Sequence, residues 1–311
     1  MADSPDRGLI YEIPGVIRVY ESGKVERLAV SPFAPTSLND PVTAMSSKDV
    51  SFCGASARLY LPKLPPAEEL KKLPILVYYH GGGFIIGSAF DTWEHNYIST
   101  MVSYINALVI SVEYRLSPEY LIPEAYDNSW MALQWVASHS TGDQGENQDP
   151  WLIQYGDFDR LYLGGDSAGA NIVHHMALKT GKEKLPNDVK ILGGYLGCPY
   201  FWGYKRPDDD SMAFKCWFLA CPDGGIDSPY INPYVTGEFD VGFVYKRLLI
   251  VVAEDDELRV EGIKYYDALK EKEWDGEVDF LQLDGGHCFY LLDSTSEKAK
   301  ILMRELASFI V

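Results

Sequence analysis

The chain has 311 residues, 47% of them hydrophobic and 23% charged, a balance that suits a globular protein with a sizeable core and excludes extended disorder. Its 45 acidic against 27 basic residues give a formal net charge of −18, which repels nucleic-acid phosphate and anionic membrane surfaces, so neither is an expected partner. No apolar run reaches the roughly 18 residues of a membrane-spanning helix.

The N-terminal stretch MADSPDRGLIYEIPG lacks the basic start and apolar core of a signal peptide, so a cytoplasmic location is expected. The first fifty residues are turn-rich, with a short extended piece at Gly15–Tyr20. Strands are predicted at Ala57–Leu61 and at Pro74–Tyr79, a continuous apolar run suited to a sheet interior. The linker PKLPPAEELKK between them reads as a surface connection. Ala107–Glu113 reads as a buried strand and Ala125–Ser138 as a helix. Leu161–Leu163 is a short strand that enters a glycine-rich turn and continues as a helix over Ala168–Lys179. Further strands are expected at Val189–Leu196, Leu248–Val252 and Val278–Leu283, with helices at Gly262–Lys272 and Ser296–Ile310. Alternation of this kind predicts an α/β fold with a mostly parallel sheet flanked by helices on both faces. A single domain over residues 1–311 accommodates it, since sheet enzymes of this kind reach such a size as one unit.

Pro199–Tyr234 breaks the alternation, being crowded with aromatic and turn residues. Exposed aromatic clusters are costly unless they line something, so this segment (199–234) and residues 1–50 are expected to form a cap. Phe84, Phe201, Trp202, Trp217 and Phe218 are the candidates for lining a substrate pocket. The five cysteines, Cys53, Cys198, Cys216, Cys221 and Cys288, have no CxxC spacing. They read as free thiols rather than a disulfide framework or a structural zinc site.

Gly165-Asp166-Ser167-Ala168-Gly169 is the first chemical signal. GxSxG alone is a weak pattern, but here it follows an apolar strand and opens a helix, the context that exposes a nucleophilic serine on a strained turn. His80-Gly81-Gly82-Gly83-Phe84, directly after the strand ending at Tyr79, is the second. Acyl transfer needs backbone N–H groups aimed in advance at a developing oxyanion, and the amides of Gly82, Gly83 and Ala168 are the candidates. Of six histidines, His80 belongs to the glycine motif. His174 and His175 lie on the helix after Ser167 and point away from it. His95 and His139 lack a supporting neighbourhood. His287 follows a strand end, in the order Ser…Asp…His, and is the expected base. The orienting acid lies in Glu254-Asp255-Asp256-Glu257, and spacing alone does not choose among the four.

Together HGGGF, YRLSPE, GDSAGAN, AEDDEL and the GGHCF ending resemble the plant carboxylesterases of the hormone-sensitive-lipase type, over nearly the whole chain. That resemblance implies an α/β-hydrolase fold with a cap built partly from the N-terminus, and Asp256, which precedes Glu257-Leu258, as the acid. SLNDP, LQWVASH, DFDRLYL and GKEKL are also similar to the branch containing the monoterpene indole alkaloid cyclases, which use such a pocket for ring formation. Those cyclases depart from the HGGG and catalytic-histidine patterns that this chain keeps. Gibberellin-receptor relatives lack the histidine, and hydroxyisoflavanone dehydratases carry threonine in place of Ser167. The expectation is a serine carboxylesterase of plant specialised metabolism, acting on a small-to-medium lipophilic ester through Ser167, His287 and Asp256. A cyclase or lyase in the same pocket and a small-molecule receptor are the alternatives. No cofactor or metal is expected, and a monomer or homodimer accommodates these features.

Overall fold

The structure, a computed structural model, describes residues 8–41, 43–142, 148–203, 210–235, 244–271 and 274–310. Residues 1–7, 42 and 204–209 of the expected cap segments, and Lys272 of the expected helix Gly262–Lys272, lie outside the described residues.

A small antiparallel sheet comes first: β1 (Leu9–Ile13), β2 (Ile17–Tyr20) and β3 (Val25–Arg27). The main sheet has eight strands. In chain order they are β4 (Ser46–Phe52), β5 (Ala55–Leu61), β6 (Leu73–Tyr79), β7 (Leu108–Glu113), β8 (Gly156–Asp166), β9 (Ile191–Gly197), β10 (Arg247–Ala253) and β11 (Glu277–Leu283). In space they run β11-β10-β9-β8-β6-β7-β5-β4, parallel except where β5 pairs with β7 and β4 with β5. The helices are α1 (Thr92–Ile105), α2 (Glu124–Ser138), α3 (Pro150–Tyr155), α4 (Ala168–Lys182), α5 (Met212–Ala220), α6 (Arg259–Glu271), α7 (Phe289–Leu292) and α8 (Glu297–Phe309).

The apolar runs form interior strands because helices cover both faces. Every residue of β6 is buried, and its alternation divides the core in two. Ile75, Val77 and Tyr79 pack with Leu133, Val136, Ile172 and Met176 of α2 and α4. Leu76 and Tyr78 pack with Ile98, Met101, Leu302 and Leu306 of α1 and α8. At the edges, β4 and β11 largely alternate better-covered with more exposed residues, as strands with one wet face do.

Each predicted strand and helix is present with bounds shifted by a few residues, and Leu161–Leu163 is the inner part of a longer strand, β8. Residues 46–50, expected in the cap, belong instead to edge strand β4. Its polar sequence SSKDVSF hides it, but it is held by cross-strand pairing in which Asp49 faces Arg58. The buried Arg58 guanidinium grips that carboxylate with two of its three nitrogens, Nε to Oδ1 at 2.7 Å and Nη2 to Oδ2 at 3.0 Å. α1 was also not predicted, although Asp91 caps it by accepting from the Glu94 amide at 2.9 Å and its buried residues recur at helical spacing. Among the described residues, no helix is long and apolar enough to cross a membrane.

Helix α4 meets the end of β6 at a glycine. A Cβ on Gly169 would lie 1.9 Å from the Tyr79 carbonyl oxygen, whereas one on Gly286 would meet nothing within 4 Å. Gly169→Ala should therefore lower the stability by about 1–3 kcal/mol or more through overpacking. Gly286→Ala should stay within about 0.5 kcal/mol of the wild type. Denaturant midpoints of the two variants check the contrast.

Candidate active site

Five neighbouring parallel strands deliver their carboxyl ends to one side of the sheet, where open α/β sheets gather functional groups. β6 leads into the glycine loop from His80, β8 into Ser167, β9 into Cys198, β10 into the acid cluster and β11 into His287.

Ser167 is the single residue between β8 and α4, and it sits at φ 52°, ψ −115°. A residue with a Cβ holds that conformation only when its surroundings over-determine it. Its amide donates to Gly197 O at 2.8 Å, and its carbonyl accepts from Asn171 N and Tyr200 N at 3.1 Å. Ala168 follows as the first residue of α4, so its amide belongs to the positive end of the helix.

The glycine loop bends where only glycine fits. Gly82 has φ +105°, and a Cβ there would lie 2.1 Å from Ile86 O. The Gly82 carbonyl accepts from the amides of Ile85 and Ile86, both at 3.0 Å. Among the described residues, no carbonyl accepts from the amides of Gly82 or Gly83. His80 braces this loop: its Nδ1 donates to Gly81 O at 2.8 Å and its ring stacks on Tyr114 at 4.2 Å. Burial lowers its pKa to about 4, so it stays neutral.

Of the four acids after β10, only Asp256 is buried. Its Oδ2 accepts from His287 Nδ1 at 2.8 Å, and its Oδ1 accepts from the Leu258 amide at 2.9 Å. Burial is the largest single influence on His287 and works against the charged imidazole, but the hydrogen bond to Asp256 and the surrounding negative charge together outweigh it and raise the pKa to about 9. Ser167 and His287 line the same cavity without hydrogen-bonding to each other, and His287 Nε2 lies 3.7 Å from Cys288 Sγ.

The remaining histidines are engaged elsewhere. His174 Nδ1 meets Tyr265 Oη at 2.9 Å, and His175 Nε2 meets Tyr230 O at 3.0 Å. His95 lies 3.3 Å from Tyr60 Oη, and His139 bonds to Trp135 O and Asp149 N, both at 2.7 Å.

The cavity has two lobes that meet at Gly82, Ile86, Ser167 and His287. One, of about 230 Å³, is walled by Trp93, Glu94, Cys288, Leu291 and Leu292, with Ala29 from the N-terminal segment. The other, of about 330 Å³, is walled by Val16 and by Met212, Ala213 and Cys216 of α5, with Tyr200, Glu257 and Leu258. A hydrogen bond from Tyr11 Oη to Lys215 O, 3.0 Å, ties β1 to α5 across the second lobe's wall.

None of the five aromatic candidates lines either lobe. Phe84 is wholly buried between Tyr126 and Tyr200. Phe201 stacks on Tyr265, and Trp217 donates from Nε1 to Gly225 O. Trp202 packs beside Phe214, and Phe218 packs against the same ring. Their density reflects aromatic rings covering one another, while smaller side chains of the same segment reach the cavity. Sequence reasoning also missed Cys198 and Cys288, which converge with His287 so that their ligating atoms all lie within 4.8 Å of one another. They come from different strand ends, so no local spacing announces them.

The sequence pattern of the alpha/beta hydrolase fold family matches residues 76–291. The chain belongs to this family. Its relatives include a 2-hydroxyisoflavanone dehydratase of Glycyrrhiza echinata, 44% identical, with 96% of this chain and 95% of that one covered. A tabersonine synthase of Catharanthus roseus is 46% identical, covering 97% and 98%. Probable carboxylesterase 13 of Arabidopsis thaliana is 40% identical, covering 94% of each. Among solved structures, carboxyl esterase 2 of the fungus Tuber melanosporum superposes with a TM-score of 0.70 at 21% identity, over 88% and 90% of the two chains, a likeness of fold. The family member described here is esterase-like, and its relatives span carboxylesterase, dehydratase and synthase names.

The pairing of His287 with Asp256 is testable without any substrate. Asp256→Asn removes the carboxylate charge and should bring the imidazole pKa down, whereas Asp255→Asn, at an exposed site, should leave it in place. An NMR titration of the His287 ring in each variant reads the difference.

Proposed function

We propose that this protein is a serine carboxylesterase for small-to-medium lipophilic esters, with Ser167 as nucleophile, His287 as base and Asp256 as the orienting acid. The observation that carries it is the hydrogen bond from His287 to the buried Asp256, at the wall of the cavity that also holds the strained Ser167. The Ser167–His287 bond closes when substrate is bound, as catalytic hydrogen bonds of resting enzymes often do.

In the first half-reaction His287 Nε2 takes the proton of Ser167 Oγ as the oxygen attacks the ester carbonyl. Asp256 keeps Nδ1 protonated and steadies the imidazolium. The carbonyl oxygen becomes an oxyanion received by the amides of Gly82, Gly83 and Ala168; losing one such donor typically costs about 100- to 1,000-fold in turnover. His287 then gives its proton to the leaving alcohol. In the second half-reaction the same base activates water, which releases the acid from Ser167. The modest lobes and their mostly apolar walls, with Ile86 between them, favour compact apolar acyl and alcohol groups over long chains. The N-terminal segment and α5 supply the outer walls, and we read them as the cap.

A second reading, a cyclase or lyase in the same pocket, draws support from the tabersonine synthase relative. In that case Ser167 and His287 handle protons and no acyl-enzyme forms.

Short p-nitrophenyl esters and an organophosphate separate the two. An esterase is expected to hydrolyse the esters and to take up one phosphonyl group on Ser167, read by peptide mass spectrometry. Ser167→Ala should lose on the order of 10⁴-fold or more in kcat. Absence of both hydrolysis and adduct favours the second reading. Because the base must be neutral and its pKa is raised, kcat/KM should climb with pH through an apparent pKa above 6.5 and fall on acidification.

A further inference from the structure

Next to the lobe that holds the serine, three side chains come together that the esterase mechanism does not use as a group. Cys198 follows β9, while His287 and Cys288 follow β11, and their two sulfurs and one imidazole nitrogen all fall within 4.8 Å of one another. Cys288 Sγ and His287 Nε2 are 3.7 Å apart. In a tetrahedral zinc site, bonds of about 2.3 Å to sulfur and 2.0 Å to nitrogen place sulfur and nitrogen about 3.5 Å apart and two sulfurs about 3.8 Å apart. The cluster therefore needs shifts of about an ångström or less to close on an ion. Both cysteines are free thiols held at left-handed φ, 43° and 48°, so the surrounding structure fixes the backbone that aims them.

We propose that Cys198, His287 and Cys288 form a binding site for a soft divalent ion of the zinc class, and that filling it switches the active site off. Two thiols give up their protons as the ion binds, so a 2+ ion with two thiolates and a neutral imidazole carries no net charge, which suits a site whose two cysteines are buried. Thiolate and imidazole select zinc-like ions over magnesium and calcium, which prefer oxygen. Cys288 and His287 line the first lobe, so an ion enters through the cavity and keeps its fourth position for water. Once His287 Nε2 holds the ion it has no lone pair left for the Ser167 proton. The inhibition rests on the esterase reading; the binding does not.

The test uses the full chain, kept reduced, with two readouts. Cobalt(II) should produce a sulfur-to-metal charge-transfer absorption that saturates at one ion per chain. Micromolar zinc should lower p-nitrophenyl ester hydrolysis at least tenfold, with recovery on adding EDTA and no effect of magnesium. Cys198 touches neither lobe, so Cys198→Ala should hydrolyse like the wild type, lose much of the cobalt absorption and need at least about tenfold more zinc for half-inhibition. Should that variant fold poorly, Cys198→Ser keeps the side chain's size and should show the same losses. Wild-type protein without a cobalt–sulfur band, or zinc inhibition undiminished in the folded Cys198 variant, would overturn the proposal. A cobalt–sulfur band in a protein that hydrolyses no ester keeps the metal site and removes the esterase reading alone.

Discussion

Helix α4 rests against the end of β6 with no room for a side chain between them. A Cβ on Gly169 would strike the Tyr79 carbonyl, and one on Gly165 would lie 2.5 Å from the Gly169 carbonyl carbon. Because the helix starts flush with the sheet, the chain has one residue in which to leave β8 and enter α4. That residue is Ser167, and its φ of 52° follows from the reversal. The same contact brings the first amide of α4 beside the glycine loop that leaves β6. A Cβ on Gly81 would be 3.4 Å from that of Ser167, which shows how closely the two connections run. The proposed nucleophile and the proposed oxyanion donors thus share a single packing constraint.

The two halves of the site are tied together through Asp166, the residue before the serine. Its wholly buried Oδ1 accepts from Tyr290 Oη at 2.6 Å and from Tyr195 Oη at 3.2 Å. Burial raises its pKa to about 7, against the pull of those two hydroxyls. Tyr290 lies on α7, three residues beyond His287, so this bond fastens the histidine loop to the strand end that carries the serine. Gly197 completes the arrangement, since a Cβ there would lie 2.4 Å from both Asp166 Oδ1 and Tyr290 Oη.

Much of this was legible in the residues, for physical reasons. Strands buried on both faces must be apolar throughout, so β6, β7 and β10 announce themselves. A glycine–serine motif between strand and helix is informative because packing leaves that turn few other sequences. The choice of Asp256 from four adjacent acids was not available from spacing, since burial separates them and burial depends on the whole fold. β4 escaped notice because its register rests on an ion pair with Arg58 rather than on a run of apolar residues. The aromatic segment misled for a related reason. Large rings satisfy one another in the core, as Phe201 and Tyr265 do, and the cavity is left to Met212, Ala213 and Cys216.

The two lobes meet at only four residues, and apart from the N-terminal segment and the glycine loop their walls come from different stretches of chain. The proposed reactive groups follow strand ends of the sheet, whereas several wall residues hang from α5, the N-terminal segment and the turn after His287. Exchange of a wall side chain therefore alters which molecules fit without disturbing the geometry of bond breaking. Each lobe can also drift on its own at the wall positions that the other does not share. A scaffold divided in this way lets selectivity diverge in two directions at once while its chemistry is inherited intact.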